Sequence, residues 1–150
     1  MAAERGIEMN IVYTDTITVH DYNGLRKAVG WGICPPDRVQ MALDRSDFLI
    51  VAQMNGITIG MARLIQDGLQ ALVMDLIVLP EHQGYGIGKE LMKRVMDYLD
   101  DLSRGGGIFV NLMSAQGKEG FYEKFGFESR PNDKCGPGMT KWIEVKETTK

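Results

Sequence analysis

The chain has little of what metal sites, disulfides and nucleic-acid surfaces require. It contains two cysteines and two histidines among 150 residues. Cys34 and Cys135 form no C-x-x-C pair, and neither His20 nor His82 has a ligand-type neighbour at metal-binding spacing. This scarcity argues against a zinc site or a redox pair, and it predicts free thiols in a reducing compartment. We therefore expect no metal cofactor.

Long apolar runs and a basic excess are also missing. No apolar run approaches the ~20 residues of a membrane span, and the first residues have no apolar core typical of a signal peptide. Seventeen basic against twenty acidic residues give a net charge of −3, which argues against nucleic acid or an anionic membrane as the main partner. The sequence predicts a cytoplasmic protein.

What is present is ordinary globular composition, with 44% hydrophobic and 25% charged residues. A chain of this length is typical of one domain, and we expect a single domain over residues 1–150. Periodicity and turn signals predict the following elements in order: a strand at 11–13, helices at 21–29 and from Pro36, strands at 48–53, 57–65 and 70–79, a helix at 87–102, a strand at 108–113, a short helix at 117–125, and strands at 127–128 and 139–145. This order predicts an α/β fold, with a mixed, mostly antiparallel central sheet flanked by helices on both faces.

The most informative segment is a glycine turn between the third long strand and the long helix. Glycines at 84, 86 and 88 leave backbone N–H groups bare at the positive end of a helix dipole, which favours a phosphate or pyrophosphate. A Walker A loop would require glycine at Gln83 and a hydroxyl at Glu90, so it does not fit. The dinucleotide G-x-G-x-x-G spacing is not matched either. The remaining alternative is that the glycines only permit a tight turn.

Two motifs together resemble the GNAT superfamily of acyl-CoA-dependent N-acyltransferases. The first is Gln83-x-x-Gly86-x-Gly88, placed after a strand closed by Pro80 and opening a helix. The second is the downstream aromatic segment Gly-Phe-Tyr-Glu-Lys-Phe-Gly-Phe at 120–127. The resemblance covers about residues 10–145 and implies the GNAT fold.

The resemblance implies acetyl-CoA as co-substrate and a primary amine, on a small molecule or a peptide, as acceptor. The amine would attack directly in a ternary complex, without a covalent enzyme intermediate. Backbone groups of the glycine turn would hold the pyrophosphate, and a strand edge would pair with the pantetheine amides. The residues implied in cofactor binding are Leu76, Ile77, Val78, Gln83, Gly84, Tyr85, Gly86, Ile87, Gly88, Lys89, Asn111 and Tyr122. The N–H of Val78 or Ile77 would polarise the thioester carbonyl.

Two side chains are implied in proton transfer. Tyr122 matches the family tyrosine that faces the CoA sulfur, and it would protonate the leaving thiolate; the alternative is a core aromatic with a satisfied hydroxyl. Asp75 interrupts an apolar strand, so it is either paired structurally or directed into the acceptor pocket. There it would act as general base or bind the substrate ammonium, with a water relay as a further option for the base.

Three further expectations concern the surroundings of the site. Asn111 would bond the pantetheine or a bridging water, or alternatively neighbouring backbone. Trp31 lies where the family builds its acceptor wall. Arg26 is expected on a solvated surface, and the alternative is contact with an anionic substrate. A homodimer is expected by analogy with small family members. The competing functions are a non-catalytic CoA-binding sensor or partner protein and a nucleotide-binding module.

Overall fold

The computed structural model describes residues 10–147, which fall into a compact unit up to Leu112 and a second unit from Met113 onward. The first unit contains β1 (Ile11–Thr14), α1 (Val19–Ala28), α2 (Pro36–Asp44), β2 (Phe48–Met54), β3 (Ile57–Gln66), β4 (Gln70–Val78), α3 (Ile87–Leu102) and β5 (Phe109–Leu112). Short 3₁₀ turns at Pro80–His82 and Ser103–Gly105 flank α3. The second unit contains α4 (Glu119–Glu123).

The first unit is built on one five-stranded sheet in the order β1-β2-β3-β4-β5. The first four strands form an antiparallel meander, and β5 pairs with β4 in parallel. The β2–β3 turn has positive φ at both Asn55 (52°) and Gly56 (76°), as the expected two-residue hairpin requires. The predicted mixed, mostly antiparallel sheet with helices is confirmed.

Successive residues of β3 show that helices cover both faces of this sheet. A side chain added at Gly60 would come within 3.4 Å of Leu91 on α3. Its neighbour Met61 packs instead with Tyr22 and Leu25 of α1. The apolar stripe of α3 predicted by helical spacing is buried at Ile87, Leu91, Met92, Val95 and Leu99. The core therefore lies in two layers, and β4 runs between them.

The second unit departs from the sequence prediction. We expected strands at 127–128 and 139–145, and within the part of the chain that the structure describes neither segment forms a strand. A strand needs a neighbour for its backbone groups and a surface for its apolar side chains. Met139, Trp142 and Val145 are 91%, 80% and 92% exposed, so the apolar side chains of this segment have no such surface within the unit. The strand prediction was wrong there because β-type composition cannot supply a pairing partner.

Candidate active site

The glycine turn leads into α3 without a side-chain cap. Gly84 and Gly86 have φ of 84° and 81°, a left-handed conformation that strains any residue with a Cβ. Gly86 is the N-cap of α3, and no side chain caps the helix. The first-turn N–H groups of an α-helix have no intrahelical partner. Those after Gly86 are therefore available to an anion, and the side chains of Tyr85 and Lys89 beside them are exposed.

Gln83 ties this turn to the end of β4. Its side-chain Nε2 donates to the carbonyl of Val78 over 2.9 Å. Gln83 precedes the first left-handed glycine directly, so the bond fixes where the turn leaves the strand. The glycine turn and the last residues of β4 are thereby held as one piece.

Among the residues that the structure describes, the last residues of β4 have no strand partner on the side of β5, and we call this side the free edge of β4. The two strands pair only from Gln70–Phe109 to Val73–Leu112, and β4 continues to Val78. Asn111 lies one residue before β5 ends, and its side chain makes no hydrogen bond with residues 10–147. The alternative expectation, a bond from Asn111 to neighbouring backbone, is therefore not what the structure contains.

The direction of the backbone groups on this edge follows from the β3–β4 ladder. The N–H of Leu79 donates to the carbonyl of Ile59 on β3 over 2.8 Å. Because N–H and C=O groups alternate sides along a strand, Ile77 also faces β3, and Val78 faces the free edge. The bond from Gln83 to the Val78 carbonyl agrees with this direction. Of the two N–H groups that the sequence offered for the thioester carbonyl, geometry favours Val78.

Asp75 lies within a cluster of charged and aromatic side chains. Its Oδ2 accepts hydrogen bonds from Arg63 Nε at 2.6 Å and from the Tyr22 hydroxyl at 2.7 Å. Its Oδ1 lies 3.7 Å from Nη1 of Arg26. The Asp75 side chain is 10% exposed. The structure thus supplies the structural pairing that the sequence left as one alternative for this carboxylate.

Arg26 connects this cluster to the loop after α1. Its Nε donates to the carbonyl of Gly32 over 2.7 Å, and its guanidinium lies 5.4 Å from the ring centroid of Trp31. Asn23 holds the same loop through two bonds to the backbone of Cys34, both 3.0 Å long. The expectation that Arg26 is a solvated surface residue was wrong, because its side chain is only 21% exposed and pairs with Asp75. Trp31 is 38% exposed beside it.

The hydrogen bond from the Tyr22 hydroxyl to Asp75 should stabilise the fold in a pH-dependent way. Burial, and then the neighbouring Asp75 charge, raise the pKa of Tyr22 above its ordinary value of 10.0. A raised pKa means that the bond stabilises the fold below pH ~10 and that this contribution is lost as pH rises through the folded-state pKa. We expect Tyr22→Phe to lower the free energy of unfolding by about 1.5–3 kcal/mol at pH 7, the range for bonds to charged groups. Urea unfolding at pH 7 and 10.5 measures the difference in free energy of unfolding between the unmodified protein and Tyr22→Phe. This difference should be smaller at pH 10.5; an equal difference at both pH values would contradict a stabilising bond from the Tyr22 hydroxyl.

Tyr122 lies in the second unit, within an aromatic group. Its ring makes edge contacts with Phe121 and Phe127, at centroid distances of 5.1 and 6.3 Å. Burial raises the pKa of Tyr122 above 10.0, so the phenol stays protonated at neutral pH. Its hydroxyl has no hydrogen-bond partner within residues 10–147.

Sequence reasoning missed Arg63 and Tyr22 as members of the site. One signal was available, because Arg63 is the charged residue of β3, and the Asp67-Gly68 turn brings it opposite the part of β4 that contains Asp75. Two opposite charges facing each other across a hairpin indicate a pair. No comparable signal existed for Tyr22, since its contact joins residues 53 positions apart.

The part of the chain from residue 10 to 147 contains no group of three or more metal-type side chains. None of its helices is long and apolar enough to cross a membrane. Cys34 and Cys135 are free cysteines.

Comparison with known proteins decides the family. The acetyltransferase (GNAT) domain matches residues 19–141. The chain belongs to the GNAT acetyltransferase family. It is 30% identical over 84% of its length to an uncharacterized N-acetyltransferase, ycf52, of Porphyra purpurea, covering 75% of that protein. It is also 33% identical over 77% of its length to a ycf52-like N-acetyltransferase of Prochlorococcus marinus, covering 66% of that protein.

Solved structures of other GNAT proteins share the fold. A probable acetyltransferase from Staphylococcus aureus superposes with a TM-score of 0.79 at 27% identity, over 90% of this chain and 99% of the other. A GNAT family acetyltransferase from Streptococcus pneumoniae gives 0.72 at 30% identity, over 92% and 99%. This GNAT protein is thus an N-acetyltransferase by family, as the two sequence motifs indicated.

Proposed function

We propose that this GNAT protein transfers the acetyl group of acetyl-CoA to a primary amine, on a small molecule or a peptide, by direct attack in a ternary complex. One observation carries the proposal: the uncapped glycine turn at the start of α3 follows β4 after one short 3₁₀ turn and is bonded to the end of β4 through Gln83. An anion site and a peptide-like binding edge, held together by Gln83, match a ligand that joins a pyrophosphate to a chain of amides.

Binding would divide between these two features. The pyrophosphate would accept hydrogen bonds from backbone N–H groups of residues 84–88, with the positive end of the α3 dipole and exposed Lys89 adding favourable charge. The pantetheine amides would pair with the free edge of β4 at residues 76–78, as an added strand pairs with a sheet. Asn111, close to the end of β5, would offer its unbonded amide to the same arm.

The transfer needs an oxyanion donor and a proton for the leaving group. The amine nitrogen attacks the thioester carbonyl carbon, and the Val78 N–H donates to the oxygen as it becomes negative. The carbon–sulfur bond then breaks, and Tyr122 protonates the thiolate to give free CoA. The proton lost by the amine needs an acceptor, for which Asp75 and a water relay are the two candidates. The Asp75→Asn variant described below distinguishes them.

The test of this function is release of free thiol from acetyl-CoA in the presence of a panel of amines. The panel should contain amino acids, polyamines, aminoglycosides and peptides with free N-termini or lysines. We expect thiol release that depends on one class of amine and yields the N-acetylated product by mass spectrometry. Acetyl-CoA binding without turnover on any amine, unchanged by Tyr122→Phe, would instead indicate a CoA-binding sensor. Tighter binding of ATP than of CoA would indicate a nucleotide-binding module.

Assembly and location are inferred from the family and the composition. We infer a homodimer because small GNAT proteins commonly dimerise, and a cytoplasmic location because the free cysteines suit a reducing compartment. Light scattering coupled to size-exclusion chromatography tests the first inference: a 16.7 kDa species would contradict it.

A further inference from the structure

β4 contains a bulge at Asp75. Met61 pairs with Ile77 and Arg63 pairs with Met74, so one residue of β3, Ala62, is opposite two residues of β4. Asp75 has a φ of 53°, in the left-handed region that non-glycine residues rarely adopt. Such a conformation costs about 1–2 kcal/mol unless surrounding contacts hold it.

The bulge changes which face of the sheet each β4 side chain meets. Val73 is opposite Leu64, which lies on the same face of β3 as Gly60 and therefore faces α3. Ile77 is opposite Met61 and packs with the α1–α2 layer. Without the extra residue, 73 and 77 would share one face, because strand side chains alternate with a period of two. The bulge therefore allows Val73 and Ile77, which are four residues apart, to be buried in different layers.

The same extra residue determines the direction of the backbone groups after it. Since N–H groups alternate sides together with side chains, one residue more or less before Ile77 exchanges the groups that face β3 and the free edge. With the bulge present, Ile77 faces β3 and Val78 faces the free edge. The bulge thus selects the N–H that the thioester would meet.

The contacts of Asp75 are suited to holding the bulge in place. Arg63, from the strand opposite, and Tyr22, from α1, both donate to Oδ2. Arg26 faces Oδ1, so both carboxylate oxygens have partners. These partners come from α1 and β3, and together they restrict the carboxylate from two directions.

We propose that Arg63, Tyr22 and Asp75 form a positioning cluster that locks the β4 bulge and thereby directs the Val78 N–H to the free edge. In this role the Asp75 carboxylate is not the general base. To accept the amine proton it would have to give up its charge pairing with Arg63, leaving a part-buried guanidinium with no carboxylate beside it, which is costly. The catalytic part of the inference depends on the proposed function; the structural part does not.

Amide hydrogen exchange on the ¹⁵N-labelled chain without ligand tests the structural part. We expect the Ile77 amide to exchange about 100-fold more slowly than that of Val78, since the first is bonded to β3 and the second is not. Asp75→Asn should retain this contrast, because asparagine tolerates positive φ and keeps an oxygen for Arg63. Asp75→Ala should abolish it, since the side chain that anchors the bulge is gone. A contrast that persists in Asp75→Ala, or that is absent from the unmodified chain, would overturn the proposal.

Asn55→Ala is the matched control. Asn55 also has a positive φ, of 52°, but it lies in the β2–β3 turn, so the substitution removes a small polar side chain at equal backbone strain. We expect the contrast between Ile77 and Val78 to survive it. Should Asp75→Ala fail to fold, Tyr22→Phe keeps the buried ring and removes only the hydroxyl. Tyr22→Phe should reduce the difference in exchange rate between the Ile77 and Val78 amides. An unchanged difference would contradict the role of Tyr22 in the cluster.

Kinetics with an amine found in the thiol-release screen test the catalytic part. Asp75→Ala should lower kcat by about 100-fold, the typical loss for one oxyanion donor, with less change in KM for acetyl-CoA. Asp75→Asn should keep kcat within about tenfold of the unmodified value and leave the pH–rate profile unchanged. Loss of a general base would instead lower kcat by about 10²–10⁴-fold and remove the limb of the pH–rate profile that reports the ionisation of that base. A large loss in Asp75→Asn with an altered pH profile would establish Asp75 as the base instead. If no amine is acetylated, the proposed function fails, but the hydrogen-exchange result still tests whether the cluster holds the β4 bulge in place.

Discussion

Tyr122→Phe is expected to lower kcat for acetyl transfer by about 10²–10⁴-fold, the range for loss of a general acid. The substitution keeps the aromatic ring and its edge contacts with Phe121 and Phe127, so the packing of the second unit should survive. KM for acetyl-CoA should change little, because the phenol acts on the leaving thiolate rather than on the bound ground state. The measurement is steady-state thiol release.

If Tyr122 is the general acid, the rate of acetyl transfer should depend on the protonation of its phenol. Burial raises the pKa of Tyr122 above 10.0, so the proton is present throughout the neutral range. In the alkaline range, the rate of the unmodified protein should therefore fall as pH rises through that pKa, where the phenol ionises. Tyr122→Phe should lack this alkaline decline and show a low rate that does not depend on the phenol.

Tyr13→Phe is the control for Tyr122→Phe. Burial also raises the pKa of Tyr13, but this tyrosine lies on β1 with its ring against the Arg94 guanidinium, 4.3 Å from the ring centroid. Loss of its hydroxyl should leave kcat nearly unchanged. Equal rates for the Tyr122→Phe variant and the unmodified protein would refute Tyr122 as the acid and shift that role to water.

The second large effect is expected in acetyl-CoA binding by Gly86→Val. Gly86 has a φ of 81°, and valine there costs about 1–2 kcal/mol or forces the backbone to rotate. Rotation would turn the first-turn N–H groups of α3 away from the pyrophosphate. We expect the Kd of acetyl-CoA, by isothermal titration calorimetry, to rise about tenfold or more.

Gly56→Val separates this loss of binding from a loss of stability. Gly56 has nearly the same φ, 76°, and at neither position would an added Cβ meet another atom within 4 Å. Both variants should therefore lose similar free energy of unfolding, and only Gly86→Val should lose affinity. Equal affinities in the two variants would locate the pyrophosphate away from the turn.

Much of the first unit could be predicted from its sequence because its signals are local. The Asn55-Gly56 turn specifies a two-residue hairpin, and the spacing of Ile87, Leu91, Val95 and Leu99 specifies one buried helix face. The three glycines and the strand before them likewise indicated an anion-binding turn, since the residues concerned are adjacent in the chain. A local pattern of this kind predicts structure even when the elements that it packs against are not known.

The prediction of strands at 127–128 and 139–145 was wrong because strand formation depends on residues distant in the chain. β-branched and aromatic residues indicate that a segment suits a sheet, but pairing depends on a neighbour elsewhere in the chain. Asp75 is a similar case. Its sequence position marked it as unusual, yet paired, basic and substrate-binding roles all fitted until Arg63, Tyr22 and Arg26 were found around it.

The sequence by itself determined the family, the meander, the long helix and the glycine turn, because each depends on residues close together in the chain. The tertiary structure alone decided that the Asp75 carboxylate is paired, and that Val78 rather than Ile77 faces the free edge of β4. Both depend on one extra residue in the β3–β4 ladder, since register between strands is set by contacts distant in sequence.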